Sequence, residues 1–237
     1  MFEVIKKGLE TSLQDYPGRV GFLNQGFPPS GPMDSWSFRL ANLVVGNNAE
    51  EAALECQFMG PTLKFETDHV ISICGGDMQP KIDGVAIPLW ESILIKTGQT
   101  LELSFCLTGA RTYIAFSGGI KSDLWLGSKS TFHKAAIGGI EGSAIKDNQK
   151  VQLGISVGQA GKKIKKEVIP KMSNDGLWEI EVVRGPNDDW LDNNGYEIFL
   201  AAKWKLQARS DRTGFRLDGP LLTFTEKATD KSPEHGY

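Results

Sequence analysis

The chain has neither an excess of basic residues nor a long apolar run. Its 26 Lys+Arg against 29 Asp+Glu give a formal net charge of -3 over 237 residues. With no basic footprint to meet a phosphate backbone, nucleic acid is not an expected partner. No stretch approaches the roughly 20 apolar residues of a membrane-spanning helix, so no membrane partner is expected. The first residues, MFEVIKKGLETS, lack the apolar core and small-residue cleavage site of an export signal, which makes a cytoplasmic location the expectation. Cysteine is scarce: Cys56, Cys74 and Cys106 are widely spaced without a CxxC pair. That argues against a disulfide framework and a zinc site, and for small buried hydrophobes. His69, His133 and His235 show no metal-ligand spacing such as HExxH. A magnesium ion held through a carboxylate and nucleotide phosphates would leave no such signature, so metal ligands stay unassigned. There is no Gly-x-Ser-x-Gly elbow of the kind that presents a nucleophilic serine.

What is present is a period of two. Leu54, Cys56 and Phe58 alternate with Glu55 and Gln57; Leu101, Leu103 and Phe105 alternate with Glu102 and Ser104; Trp178, Ile180 and Val182 alternate with Glu179 and Glu181. These are half-buried strands by pattern. The runs His69–Cys74 and Arg111–Phe116 precede Gly-Gly pairs at 75–76 and 118–119 and read as strands ending in tight turns. A mainly β chain with 27 glycines and 11 prolines suits a barrel or sandwich.

One segment departs from this period. In GFPPSGPMDSWSFRLAN (residues 26–42), prolines 28, 29 and 32 stiffen a turn, Asp34 is placed as the N-cap, and a helix follows. Trp36, Leu40, Leu43 and Val44 form its expected apolar face, and Gly46-Asn47 its left-handed stop. Residues 162–176, opening on Lys-Lys-Ile-Lys-Lys, read as a linker between a first unit, 1–161, and a shorter second one, 177–237.

Chemistry-bearing motifs are few. Leu126-Gly-Ser-Lys-Ser-Thr131 fails the Walker spacing, because Ser122 stands where the first glycine belongs. It still gathers Lys129, Ser130 and Thr131, one cation and two hydroxyls able to hold phosphate or carboxylate oxygens; the alternative is a polar turn. Gly138-Gly-Ile-Glu-Gly142 lacks the frame of a dinucleotide fingerprint and reads as a β-turn. In Ser210-Asp-Arg-Thr-Gly-Phe-Arg216, Arg212 and Arg216 could grip an anion while Asp211 orients one of them or accepts a proton; a salt-bridged turn explains them equally.

Taken in order, Gly8-Leu-Glu-Thr-Ser-Leu-Gln-Asp15, Pro17-Gly-Arg19, Ser30-Gly-Pro-Met-Asp34, Arg39-Leu-Ala-Asn42, Tyr113-Ile-Ala-Phe-Ser-Gly-Gly119, the 126–131 and 138–142 motifs, Arg184-Gly-Pro186 and Ser210-Asp-Arg212 resemble the biotin-dependent carboxyltransferase family. The family is also called allophanate hydrolase subunit 2 and includes the C-type subunit of prokaryotic 5-oxoprolinase. The resemblance covers essentially the whole chain. It implies two cyclophilin-like β-barrel halves, the second truncated at Tyr237. It implies an opening of 5-oxo-L-proline to glutamate with ATP and magnesium as the expected cofactors. That activity would be shared with a B-type partner (allophanate hydrolase subunit 1-like) and an A-type partner. By motif position the candidate catalytic residues are Asp34, Asp211 and Arg212, and the candidate substrate- or phosphate-binding residues Ser30, Arg39, Lys129, Ser130 and Thr131. Two alternatives stay open. One is the carboxyltransferase part of a urea carboxylase-like system, with biotin on another protein because no Ala-Met-Lys-Met attachment sequence is present. The other is a non-catalytic partner that antagonises a histidine-kinase inhibitor.

Overall fold

The computed structural model describes residues 1–172, 181–212 and 214–229. The chain divides into two compact units, Met1–Leu177 and Trp178–Tyr237. In chain order the first unit holds β1 (Phe2–Lys6), β2 (Glu10–Gln14), α1 (Ser35–Val44), β3 (Ala53–Gln57), β4 (Thr62–Phe65), β5 (His69–Asp77), β6 (Lys81–Ile82), β7 (Val85–Ala86), β8 (Ser92–Ile95), β9 (Thr100–Glu102), β10 (Thr108–Phe116) and β11 (Lys150–Val151). These strands form two antiparallel sheets, β11-β1-β4-β9-β6-β7 and β2-β3-β10-β5-β8. The chain is mainly β.

Period-two patterning explains the layers. From the six-stranded sheet, Phe2, Val4, Leu63, Phe65 and Leu101 point inward; from the five-stranded sheet, Leu13, Leu54, Ile71, Ile73, Ile114 and Phe116 meet them in one buried cluster. At its centre the Phe116 ring lies 5.2 Å from Phe2 and 6.2 Å from Phe65. The opposite face of the five-stranded sheet carries Ala53, Val70, Cys74, Tyr113 and Ala115, which pack with Phe38, Ala41, Val44 and Val45 of α1 and its end. The five-stranded sheet is therefore a middle layer, and β5 is buried from His69 to Gly76. Such double burial gives a continuous apolar run where a one-sided strand would alternate. Burial pushes the Cys56 thiol up to about 12 and that of Cys74 higher still; both are free thiols inside the core.

Three expectations are corrected here. The helix does begin after Asp34 and stop at Gly46, whose φ is 85°. Its end is a Schellman motif, with Gly46 N–H donating to Leu43 O and Asn47 N–H to Asn42 O. Yet the buried face is Phe38, Ala41 and Val44, while Trp36 and Leu43 are about half exposed. The helix carries apolar residues on more than one face; the stripe containing the small Ala41 lets the backbone come close enough for Ser72 Oγ to donate to Ala41 O at 2.7 Å. Second, Gly75-Gly76 does not end β5, which continues to Asp77. Gly75 adopts φ 104° where a Cβ would lie 2.6 Å from Arg111 O, beside a register irregularity in β10. Third, two alternating runs stop early: β3 ends at Gln57, one residue before Phe58, and β9 at Glu102, three residues before Phe105, and both rings are exposed.

The stretch expected as a linker is partly anchored within the first unit. Ile164 N–H donates to Trp90 O, Lys162 N–H to Ser92 Oγ, and the Trp36 indole N–H to Val168 O. The second unit has α2 (Asn193–Ala201), β12 (Lys205–Leu206), β13 (Leu217–Asp218) and the short α3 (Glu226–Thr229). Asp192 caps α2 by accepting from Gly195 N–H, and β12 pairs antiparallel with β13. Of the third alternating run, Trp178 and Ile180 lie outside the described residues, and Val182 lies outside any strand. Among the described residues, no helix is long and apolar enough to cross a membrane.

Replacing Phe116 by Ala removes the ring shared by both sheets of the first cluster. It is expected to cost about 3–5 kcal/mol, read as a lower urea midpoint of the unfolding transition.

Candidate functional site

In the first unit the candidate residues gather around one segment, Asp15–Arg19, which follows β2. Asp15 is the centre of the hydrogen bonding. Its carboxylate accepts from Ser128 Oγ at 2.5 Å, Ser130 Oγ at 2.5 Å and the Lys129 backbone N–H at 2.7 Å. Its own N–H donates to Ser130 Oγ at 2.9 Å. Residues 125–128 form a two-residue hairpin, with Leu126 and Gly127 both at positive φ. This turn presents its hydroxyls inward, and the anion they hold belongs to the protein.

The same geometry engages the hydroxyls of the 126–131 motif. Ser128, Ser130 and Thr131 are fully buried, and Thr131 donates both N–H and Oγ1–H to Leu13 O at 2.9 Å. The expected phosphate-holding hydroxyls are thus committed, and the loop does not fit a nucleotide triphosphate. Lys129 differs, because its side chain reaches a depression of about 550 Å³ lined also by Lys121, Ser122, Asp123 and Gly154. There its ammonium donates to Glu51 Oε1 at 2.9 Å and to Ile120 O at 3.3 Å. Lys121, which the motifs did not single out, is exposed in the same depression.

Arg19 ties the segment to the hairpin from inside. Fully buried, it donates to Trp125 O and Ser130 O and lies over the Trp125 ring at 4.8 Å. Burial lowers its pKa from the ordinary value, against the pull of the Asp15 carboxylate. The Gly138–Gly142 motif closes over the same hairpin. A Cβ on Gly138 would stand 2.2 Å from Ser130 O, and one on Gly139 1.9 Å from Thr131 Oγ1. The glycines are needed for this close backbone approach.

On the other side of Asp15–Arg19 lies the proline-stiffened turn. Arg19 N–H donates to Pro29 O, and Ser30 and Gly31 both adopt positive φ. Asp34 caps α1, its Oδ1 accepting from Trp36 and Ser37 N–H at 3.1 and 3.0 Å while Oδ2 accepts from Ser37 Oγ. The first-turn N–H groups of Trp36 and Ser37 are therefore satisfied by Asp34 itself. A buried carboxylate on β3, Glu55, fixes the turn from beneath: its Oε2 accepts from Met33 N–H at 2.8 Å and Tyr113 Oη–H at 2.9 Å. The Tyr113 oxygen in turn accepts from Asp34 N–H at 2.7 Å. Arg111 balances the charge at 3.3 Å. Burial, with the Glu55 carboxylate adding to it, pushes the Tyr113 hydroxyl well above the ordinary tyrosine range, so it serves as a neutral donor.

Two first-unit candidates keep polar capacity unused. Ser30 Oγ makes no hydrogen bond among the described residues, and Arg39, its guanidinium 5.3 Å from the Tyr16 ring centre, has a buried Nε without a hydrogen-bond partner. Asp211 and Arg212 lie on the second unit, in a turn where Asp211 and Gly214 exchange backbone hydrogen bonds at 3.2 Å. Arg216 donates to Arg209 O. Among the described residues, no three His, Cys, Asp or Glu side chains group as a metal site.

Asp34→Ala is expected to cost about 1 kcal/mol as a lost cap, whereas Asp34→Asn holds stability. Glu55→Ala, which strands Arg111, Tyr113 and Met33 N–H, is expected to cost more, about 3–5 kcal/mol; urea titration of the three variants ranks them. Gly138→Ala is expected to lose about 1–3 kcal/mol, with loss of protection of the Ser130 region in hydrogen exchange.

Comparison with known proteins agrees with this architecture. The family model described as carboxyltransferase domain, subdomain A and B, matches residues 25–237. Urea amidolyase of Saccharomyces cerevisiae is 39% identical over 92% of this chain, which spans 12% of that protein. The C-type subunit of Escherichia coli 5-oxoprolinase is 33% identical over 98% of this chain and 72% of its own length. The crystal structure of the K. lactis urea amidolyase superposes with a TM-score of 0.88 at 39% identity, covering 94% of this chain and 14% of that one. With this breadth of match, the chain belongs to the carboxyltransferase domain A and B family, alongside the C-type subunit of 5-oxoprolinase.

Proposed function

We propose that the chain is the C-type subunit of an ATP-dependent 5-oxoprolinase, opening 5-oxo-L-proline to L-glutamate together with B-type and A-type subunits. The observation that carries this reading is the match to the Escherichia coli C-type subunit along 98% of this chain and 72% of that protein. The amide of an unstrained five-membered ring is a poor electrophile; ATP, when bound, would supply a phosphoryl group to the amide oxygen that activates the carbon for attack, with the ring C–N bond broken, water added and phosphate released on the way to glutamate. Because the 126–131 loop is committed to Asp15, nucleotide binding is assigned to the partner subunits.

This chain's own residues would bind and orient the small carboxylate. Lys121 and Lys129 offer cations in one depression, Glu51 holds the Lys129 ammonium in place, and Ser30 on the turn and Arg39 on α1 offer donors. Asp34 acts by holding the start of α1. Asp211 and Arg212, on a turn of the second unit, are proposed only as candidate anion-contacting residues of that unit. A positioned set of donors of this kind lowers a barrier by meeting charge where it develops.

A second reading, carboxyl transfer from carboxybiotin on another protein to urea, is favoured by the 39% identity to the yeast urea amidolyase. Purified together with B-type and A-type subunits, the chain is expected to support glutamate release that requires both ATP and 5-oxoproline. Lys121→Ala is expected to raise KM for 5-oxoproline about tenfold, the loss of one charge-assisted contact. An assembly without glutamate release that carboxylates urea would replace the first reading with the second.

A further inference from the structure

The strands β3 and β9 stop short at neighbouring points, and this leaves an apolar patch. Met59 bridges to Phe105, Cys106 N–H donates to Phe58 O, and Leu9 N–H donates to Met59 O. Leu9, Phe58, Phe105 and Leu107, at 60, 46, 66 and 66% exposure, thus stand on adjoining backbone segments. Singly exposed apolar residues are ordinary, but a contiguous group of large ones marks an interaction surface.

Phe58 adds a second observation. Its φ is 57°, a left-handed conformation that a bulky side chain rarely adopts and glycine adopts freely. The ring is half exposed, so no packing against the core explains a phenylalanine there. Strain of this sort concentrates at functional positions.

Charge supplies the third. A pocket of about 470 Å³ adjoins the patch, lined by Met59, Gly60, Leu103 and Ser104 together with Lys6, Lys7 and Lys81. Lys6 and Lys81 lie in one cross-strand row, Lys6 opposite Thr62, Thr62 opposite Glu102 and Glu102 opposite Lys81. None of the three ammonium groups is in an ion pair among the described residues. Glu102 and Asp147, the pocket's carboxylates, leave it with an excess of positive charge.

From these observations we infer that the Leu9–Phe58–Phe105–Leu107 patch, with the lysine-lined pocket beside it, docks a partner protein that presents an apolar knob flanked by carboxylates. This rests on the reading of the chain as one component of an assembly. Apolar burial gives such a contact its affinity, and the lysines its orientation and salt dependence.

The test uses the full chain and the purified B-type subunit, with binding followed by interferometry at low and high salt. Phe58→Gly relieves the strained backbone, so its melting temperature is expected to rise by about 2–4 °C while partner binding weakens at least tenfold. The double variant Lys6→Glu, Lys81→Glu is expected to weaken binding at least tenfold at low salt and less at high salt. Wild-type binding that both variants retain overturns the docking surface and leaves the reading of the chain as part of an assembly intact. A wild-type chain that binds no B-type subunit overturns that reading and this inference with it. A lower melting temperature in Phe58→Gly would place the ring in a contact internal to the chain, and loss of a concentration-dependent dimer in that variant would assign the patch to self-association. Either result overturns the partner assignment.

Discussion

A single carboxylate, that of Asp15, organises the loops at the end of the middle sheet. Three donors from the Ser128–Ser130 turn converge on it, and the buried Arg19 balances it electrostatically. A half-buried carboxylate is held most firmly when its acceptor sites are filled and a cation is near. The acceptor sites are filled by residues more than a hundred positions away in the chain, so the 128–130 segment takes its place from this one anion, while Glu55 holds the proline turn. The lysine between the two serines is thereby aimed outward, toward the surface depression.

The parts of this arrangement readable in the sequence were those determined locally. Period-two alternation located β3, the apolar run before Gly118-Gly119 located β10, and Asp34 and Gly46 marked the two ends of α1, because caps and stops act within one turn. Which face of α1 is buried was not readable, since Trp36, Leu40 and Leu43 make as good a stripe as Phe38, Ala41 and Val44; only the facing sheet chooses. The hydroxyls of Ser130 and Thr131 were visible as candidates for an anion, but whether that anion is a ligand or Asp15 depends on a contact across the fold. Glu55 and Tyr113 offered no catalytic or binding motif, although Tyr113 opens the Tyr113–Gly119 block that carries the family resemblance. Each looked like an ordinary outward strand residue, and their importance comes from the Met33-Asp34 backbone that α1 brings over them.

The family membership gives this geometry its context. The relatives share the matched region but differ widely in length, this chain spanning 12% of the yeast urea amidolyase and 72% of the bacterial C-type subunit. A module found both within a long polypeptide and as a separate chain has to present surfaces to neighbours without losing its own core. The first unit meets that requirement by putting the apolar cluster between the sheets and leaving much polar and some apolar surface at the strand ends.

The middle position of the five-stranded sheet has a consequence for how such a protein can change over generations. Along β10, Ile114 and Phe116 serve the core between the sheets, while Tyr113 and Ala115 serve the layer under α1 and the turn it carries. Successive residues of one strand therefore answer to different demands, one for folding and one for site geometry. Shifting that strand to suit a new substrate would disturb both at once. Diversification is easier at the exposed residues of the strand ends and of the depression around Lys121, where a substitution alters what the surface presents without moving the frame.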